Sequence, residues 1–149
     1  MKSLVIYGTY FGNTEKIAQA IAERLNTKAV NVKEFKKEML DNIDLLVVGS
    51  PTRAFRPIDS IKEFIGSLPD LDGIKVAAFD TRINVDIINS KLLKFLAKIF
   101  GYAAEPMLKK LVKKGGEKVL EPAGFCVKDS EGPLLDGELQ RAKEWVSKL

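Results

Sequence analysis

The feature that most constrains the fold is a strand, loop and helix pattern in residues 2–25. Residues 3–7 form a short, almost wholly apolar run with Val and Ile, which predicts a strand buried on both faces, as in a parallel sheet. Gly8 ends this run. From Thr14 onwards the apolar residues recur at helical spacing and leave the charged residues on the other side, which predicts an amphipathic helix. A chain that starts this way is expected to build an α/β sheet.

The loop between this strand and helix consists of Thr9, Tyr10, Phe11, Gly12, Asn13 and Thr14. Backbone N–H groups at a helix start have no helical partner and lie at the positive end of the helix dipole, so they suit a phosphate group. Thr9, Asn13 and Thr14 add short polar side chains, and Gly12 lets the backbone approach a ligand closely. The glycine spacing fits neither G-x-x-x-x-G-K-[ST] nor G-x-G-x-x-G. The loop is predicted to hold a phosphate; the alternative is a well-capped turn without a ligand.

The loop resembles the phosphate loop of the flavodoxin family, whose pattern is roughly [ST]-x-[ST]-G-x-T followed by a helix. Thr9, Gly12 and Thr14 match this pattern, and Asn13 is also typical of it. Phe11 stands where the family usually has Thr or Ser, so one hydroxyl donor to the phosphate is missing. The resemblance implies that the whole loop, residues 9–14, contacts the phosphate of a noncovalently bound flavin mononucleotide (FMN).

The rest of the chain continues the alternation of strands and helices. Apolar strands are predicted at residues 28–32, 44–49 and 74–79, and a fifth at 118–120 together with 124–127. This pattern predicts a doubly wound parallel sheet with helices on both faces. It resembles the shorter flavodoxins along nearly the whole chain, which implies a five-stranded sheet in the order 2-1-3-4-5. With 149 residues, we expect one flavodoxin-like domain, residues 1–149.

Composition excludes several kinds of site. The chain has no histidine and one cysteine, Cys126, so the usual catalytic triads, imidazole-based zinc sites and an internal disulfide are excluded. Cys126 lies in an apolar run and is predicted to be a small buried hydrophobe. No apolar run approaches the ~18 residues of a membrane span, so a cytoplasmic protein without a membrane partner is expected. The net charge of +4 comes from lysines spread over helix surfaces, which argues against nucleic acid.

By the same resemblance, the loops after the third and fourth strands contact the flavin ring. The first supplies Ser50, Pro51, Thr52, Arg53, Ala54 and Phe55, and the second supplies Asp80, Thr81, Arg82 and Ile83. Either Arg53 or Phe55 is expected to cover the ring, since a guanidinium plane stacks on an aromatic system as Phe does. The second loop lacks the family's usual G-x-G-D-like pattern and Tyr, so its backbone is expected to bond the pyrimidine edge. No catalytic side chain and no metal ligand is expected.

A long apolar stretch, Ile87 to Phe100, exceeds what the family's connection at this point requires. A core helix is favoured; a lid over the flavin or a contact surface of a homodimer are the alternatives, so the protein is expected to be a monomer or a homodimer through this stretch. Inward-facing residues are also predicted in a C-terminal helix, residues 138–149, with Leu139 and Leu149 among them.

The favoured function is that of an FMN-binding carrier of one or two electrons between redox partner proteins, rather than an enzyme with its own substrate. Arginines near the ring, namely Arg53, Arg56 and Arg82, would make its last reduction step less reducing than that of an acidic flavodoxin. One alternative is an FMN-dependent reductase of a small acceptor such as a quinone. Another is a binding module of the same fold that no longer holds flavin.

Overall fold

The computed structural model describes residues 1–83 and 90–149. Its strands are β1 (Ser3–Tyr7), β2 (Ala29–Asn31), β3 (Leu45–Arg53), β4 (Arg56–Pro57), β5 (Lys75–Ile83), β6 (Glu117–Lys118) and β7 (Ala123–Val127). Its helices are α1 (Asn13–Arg24), α2 (Asp59–Ser67), α3 (Lys91–Phe100), α4 (Ala104–Lys113) and α5 (Glu138–Val146). Two short 3-10 turns, Val32–Glu34 and Lys37–Leu40, follow β2.

The main sheet has the order β2-β1-β3-β5, and the last position is shared by β6 and β7. β6 pairs with the start of β5 and β7 with its end, and every pairing in this sheet is parallel. The residues between β6 and β7 include Pro122, which has no N–H to donate to a sheet. The predicted order 2-1-3-4-5 is therefore confirmed, with the fifth position built from two segments.

Helices cover both faces of the sheet. α1 and α5 pack on one face, where Phe79, Phe125 and Trp145 make edge-to-face contacts with ring centroids 6.1 to 6.2 Å apart. α2 and α4 pack on the other face, where Ile61 and Met107 are fully buried. Successive strand residues alternate between these two apolar layers, which is why the strand sequences are apolar throughout.

The third strand is longer than predicted. β3 runs past Gly49 to Arg53 and turns at Ala54 and Phe55 into β4, which pairs with it antiparallel. Both turn residues have positive φ, 48° and 66°, as in a tight two-residue hairpin. Pro57 belongs to β4, and α2 begins two residues later.

The loop predicted after the fourth strand is also wrong over Asp80 to Ile83, which continue β5. Asp80 pairs with Ser50 of β3, and the segment pairs with β7 on its other side. Asp80 and Thr81 are therefore paired on both sides, whereas Arg82 and Ile83 pair only with β7. The contact of this backbone with a flavin edge stays a prediction. Asn84 lies outside the described residues.

The core-helix prediction for Ile87 to Phe100 is wrong where the structure describes it. Ile87 and Ile88 lie outside the described residues. In α3, the large apolar side chains of Leu92, Phe95 and Ile99 are 65%, 58% and 58% exposed. The hydrophobic pattern identified the helix correctly, but its apolar side does not face the sheet.

The C-terminal helix is shorter than predicted and ends at Val146. Trp145 and Val146 face the core. Leu139 and Leu149 are each 44% exposed, so the inward placement predicted for these two is wrong. Cys126 is half-buried in β7 rather than fully buried, and burial raises the pKa of its thiol.

Candidate functional site

The site is a cleft at the carboxyl ends of β1, β3 and β5, the edge where a doubly wound sheet reverses its winding. The cleft has a volume of about 470 Å³. It is lined by Thr9, Tyr10, Phe11, Asn13, Thr14, Pro51, Thr52, Arg53, Ala54, Thr81, Ile83 and Ser130. The structure thus brings residues of three separately predicted segments into one concave surface.

The floor of the cleft is the start of α1. Gly12 precedes the helix in the left-handed region, with φ of 89°, and its N–H donates to Thr9 Oγ1 at 2.9 Å. The first backbone hydrogen bond of the helix runs from the Lys16 N–H to the Gly12 carbonyl. The N–H groups of Asn13, Thr14 and Glu15 therefore have no acceptor within the helix. Gly12, the N-cap residue, has no side chain that could accept a hydrogen bond from them.

A hydrogen bond between two hydroxyl groups links Thr14 to β5, the fourth strand in the order of the sheet. Thr14 Oγ1 and Thr81 Oγ1 lie 2.7 Å apart, and both residues are buried. This hydrogen bond ties the helix start to β5, and both threonines line the cleft. One of the two hydroxyls donates to the other, so the second keeps a hydrogen to donate elsewhere.

A fourth segment, residues 129–133, closes the same end of the cleft and was not predicted. Asn13 Nδ2 donates to the Glu131 carbonyl at 3.0 Å, and Ser130 lines the cleft. Gly132 packs so closely on Asn13 that a Cβ there would lie 2.6 Å from Oδ1. The only sequence signal for this segment was its cluster of Asp, Ser, Gly and Pro after the last strand, which is typical of loops in general.

One wall of the cleft carries exposed aromatic rings beside a cation. Tyr10 and Phe11 are 58% and 48% exposed. The Arg53 guanidinium carbon lies 5.0 Å from the centroid of the Tyr10 ring and 5.9 Å from that of Phe11. Phe11, where the phosphate-loop pattern has a hydroxyl, therefore supplies apolar surface to the cleft instead.

Other predicted site residues lie outside this lining. Ser50 is buried, and its Oγ accepts a hydrogen bond from the Ile58 N–H at 3.0 Å. Gly12 acts through the helix start described above. Phe55 lies at the hairpin tip and lines a neighbouring groove, with Arg82.

Asp80 and Arg82 form an ion pair on the α4 side of the sheet. Arg82 donates to both carboxylate oxygens of Asp80, at 2.7 and 2.6 Å, and the Ala104 N–H donates to one of them at 2.9 Å. The Arg82 guanidinium carbon also lies 3.7 Å from the centroid of the Tyr102 ring. Burial raises the pKa of Asp80, while the bonds from Arg82 and Ala104 act against that rise. The pair holds the strand to α4 and does not line the cleft.

The groove beside the cleft, here called the side groove, has a volume of about 230 Å³. It is lined by Thr52, Ala54, Phe55, Arg82, Ile83, Leu93 and Tyr102. Thr52, Ala54 and Ile83 also line the cleft, so the two spaces share a wall. Leu93 brings α3 to this groove.

Comparison with known proteins agrees with this arrangement. A family model described as a flavodoxin domain matches residues 4–117. The chain belongs to the flavodoxin family. An uncharacterized protein of Methanocaldococcus jannaschii is 33% identical to this chain over 69 residues. The match spans 46% of this chain and 46% of that protein. The chain therefore spans about half the length of the curated relative it matches.

Solved structures similar to this flavodoxin-family chain share its fold. A flavodoxin from the domain Archaea superposes with a TM-score of 0.70 at 20% identity, covering 97% of this chain and 93% of its own. Flavodoxin 2 of Bacillus cereus gives 0.69 at 23%, covering 99% and 97%. A Fusobacterium nucleatum flavodoxin bound to FMN gives 0.63 at 22%, covering 99% and 96%. The predicted family and fold are confirmed. In the described residues, no helix is both long and apolar enough to cross a membrane.

Proposed function

We propose that this flavodoxin-family protein binds FMN noncovalently in the cleft and passes one or two electrons between redox partner proteins. The observation that carries the proposal is the start of α1, whose first N–H groups precede the helical ladder and open into the cleft beside Thr9 and Asn13. A solved flavodoxin of the same fold is bound to FMN. The proposal extends that ligand to this chain.

The chemistry of the cleft fits the phosphate group of FMN. The helix start provides backbone donors and the positive end of the helix dipole, and the hydroxyls of Thr9 and Thr14 add side-chain donors or acceptors. Asn13 is held in place by its bond to Glu131. No lysine or arginine is part of residues 9–14, so neutral donors would hold the phosphate.

The upper part of the cleft suits a flat, mostly apolar ring. Tyr10, Phe11 and Arg53 provide planar groups, and Pro51 and Thr52 at the end of β3 also line the cleft. The volume of about 470 Å³ is in the range of cofactor sites. FMN, when bound, supplies the one- and two-electron chemistry, while the chain orients it, limits water and sets the local charge. No side chain of the cleft is needed as an acid or base.

The test compares FMN with riboflavin, which lacks the phosphate. Purified protein is titrated with each flavin by calorimetry and then separated from excess ligand by gel filtration. We expect one equivalent of FMN to travel with the protein, and riboflavin to bind at least about tenfold more weakly because it cannot use the helix start. Equal affinity for the two flavins would refute the phosphate role of α1. A protein that binds neither flavin would overturn the proposal in favour of the flavin-free binding module.

A second candidate is an FMN-dependent reductase of a small acceptor such as a quinone. The side groove favours it, because this groove is lined by Ile83, Leu93 and Tyr102 and shares a wall with the cleft. In the FMN-loaded protein, Leu93→Gln should lower kcat/KM for a quinone and leave the FMN affinity unchanged. If nicotinamide-cofactor oxidation with a quinone is undetectable in the native protein, the carrier proposal stands without this activity.

A further inference from the structure

Helix α3 presents its apolar side to solvent. Leu92, Phe95 and Ile99 are 65%, 58% and 58% exposed, whereas Ala97, on the other side of the helix, is 5% exposed. The three exposed residues follow i, i+3, i+7 spacing, so they form one stripe along the helix. Monomeric proteins rarely expose large apolar side chains in such a contiguous row.

A second stripe on α3 is cationic. Lys91, Lys94 and Lys98 are exposed and have the same i, i+3, i+7 spacing, each one residue before a member of the apolar stripe. The two stripes therefore run side by side, about 100° apart around the helix. α3 contains no Asp or Glu. The helix thus combines exposed bulky apolar residues with a positive flank that no Asp or Glu of the helix itself neutralises.

This combination distinguishes between the surfaces that α3 could contact. If α3 met the same helix of a second copy, the lysines would find no carboxylate on the facing helix. Protein interfaces are depleted in Lys at their centres. Helices that lie in a membrane interface have the observed composition, with Leu, Phe or Ile on one side and Lys on the other. Lysine stems cover apolar surface while their ammonium groups reach anionic head groups.

We propose that α3 lies on the surface of a membrane that contains anionic lipids. Leu92, Phe95 and Ile99 enter the boundary between head groups and acyl chains. Lys91, Lys94 and Lys98 pair with lipid phosphates. The expectation that no membrane is involved rested on the absence of a spanning run, which does not concern a helix lying flat on a bilayer. This inference does not depend on flavin binding.

The test is co-sedimentation of the full-length protein with vesicles of phosphatidylcholine, with or without phosphatidylglycerol. We expect binding only when phosphatidylglycerol is present, and weaker binding as salt rises. The variant L92S/F95S/I99S should bind at least about a hundredfold more weakly, because it loses three apolar side chains from the interface. The matched control L139S/V112S changes two exposed apolar residues on α5 and α4, 44% and 43% exposed, and should bind like the native protein.

A charge series separates electrostatic attraction from general stickiness. K91Q/K94Q/K98Q should weaken binding by about fivefold for each lysine removed. K33Q/K36Q/K37Q removes the same charge from exposed positions of the segment after β2 and should have a much smaller effect. Circular dichroism confirms that each variant is folded.

Several outcomes would overturn the proposal. Vesicle binding that is equal with and without phosphatidylglycerol would overturn the role of anionic lipid. Binding that is equal in the α3 and control variants would remove α3 as the contact. A native protein that does not bind vesicles and is a monomer by light scattering would leave a protein partner as the alternative. A dimer that becomes a monomer in L92S/F95S/I99S, without vesicle binding, would assign the surface to a second copy.

Discussion

Replacing Arg82 with Met should destabilise the protein strongly, because it leaves a buried carboxylate without its counter-ion. Asp80 is fully buried and is held by two bonds from Arg82, 2.7 and 2.6 Å long, and one from the Ala104 N–H. In Arg82→Met the last of these bonds remains. The methionine keeps most of the apolar stem, so the change removes mainly the charge and its hydrogen bonds.

The expected loss follows from the geometry of this pair. Removing one partner of a buried ion pair costs about 3–5 kcal/mol. The Arg82 side chain is 23% exposed, so the lower end applies, about 3 kcal/mol. Loss of its contact with the Tyr102 ring, 3.7 Å away, is part of this cost. With a urea dependence of about 2 kcal/mol/M, the midpoint should fall by about 1.5 M.

The destabilisation should depend on pH in a definite direction. Burial raises the pKa of Asp80 in the folded protein, and bonds from Arg82 oppose this rise. Without Arg82 the folded pKa rises further above the unfolded value. A raised folded pKa favours the folded state at low pH, and this contribution is lost as pH increases through the folded pKa. The cost of Arg82→Met should therefore be smaller at pH 5 than at pH 8.

Urea unfolding followed by Trp145 fluorescence measures the loss of stability and its dependence on pH, since this residue lies in the aromatic cluster of the core. Adding Asp80→Asn to Arg82→Met should recover much of the loss, because the carboxylate is gone. Lys62→Met is the control, since Lys62 meets a 93% exposed Asp59 at 3.8 Å and should matter by at most about 0.5 kcal/mol. A loss below 1 kcal/mol at pH 8, or one independent of pH, would refute the reasoning.

Three further changes test the cleft and the packing around it. Arg53→Gln, in the FMN-loaded protein, should lower the potential of the last reduction step by a few tens of mV at most, because Arg53 lines the cleft but its exposed charge is screened by solvent. A potentiometric titration that shows no change refutes the electrostatic role. Gly49→Ala would place a Cβ 2.0 Å from the buried Phe79 ring and should cost about 3 kcal/mol in urea unfolding. Gly66→Ala, in α2 with nothing within 4 Å, should instead stabilise by about 0.5–1 kcal/mol, and a loss there would contradict the packing assigned to this helix.

The parts of the fold that follow from hydrophobic periodicity were predictable. The run at residues 3–7 and the stripe that begins after Thr14 gave β1 and α1 with nearly correct ends, because both elements bury apolar faces in the sheet core. The parallel topology followed from the alternation of strands with helices. The loop chemistry at Thr9 and Asn13 located the cleft, because its polar residues follow a buried strand.

The ends of β3 and β5 were not predictable from an apolar pattern. Both strands continue through polar residues that the fold satisfies elsewhere: Asp80 by Arg82 and Ala104, and Ser50 by the Ile58 N–H. A search for apolar runs stops at the first of these residues. The pairing of Asp80 with an arginine two residues later was the available signal, since alternate strand residues share a face.

For α3, the hydrophobic periodicity predicted the helix correctly, but the prediction that its apolar side is buried in the core was wrong. The sequence defines an apolar side, but a hydrophobic stripe contains no information on whether the sheet or another surface covers it. Sheet helices such as α4 bury Met107 and Leu111 completely, whereas α3 buries Ala97 and leaves Leu92 and Phe95 in solvent. The lysine stripe beside them was visible in the sequence, yet it also fits an ordinary solvent-exposed face.

Leu93 is involved both in the candidate quinone reductase activity and in the proposed membrane contact of α3. Leu93 lines the side groove, and it belongs to the helix proposed to lie on anionic lipid. If α3 lies in the membrane interface, the side groove, and the wall it shares with the cleft, are next to the apolar molecules dissolved in the membrane. An apolar acceptor such as a quinone would then reach the flavin without crossing water. A carrier that exchanges electrons only with other proteins does not require a groove next to the membrane. Vesicles loaded with a quinone distinguish the two: the reductase should turn over faster on anionic than on neutral vesicles, and L92S/F95S/I99S should abolish that difference while leaving the rate with a water-soluble quinone unchanged.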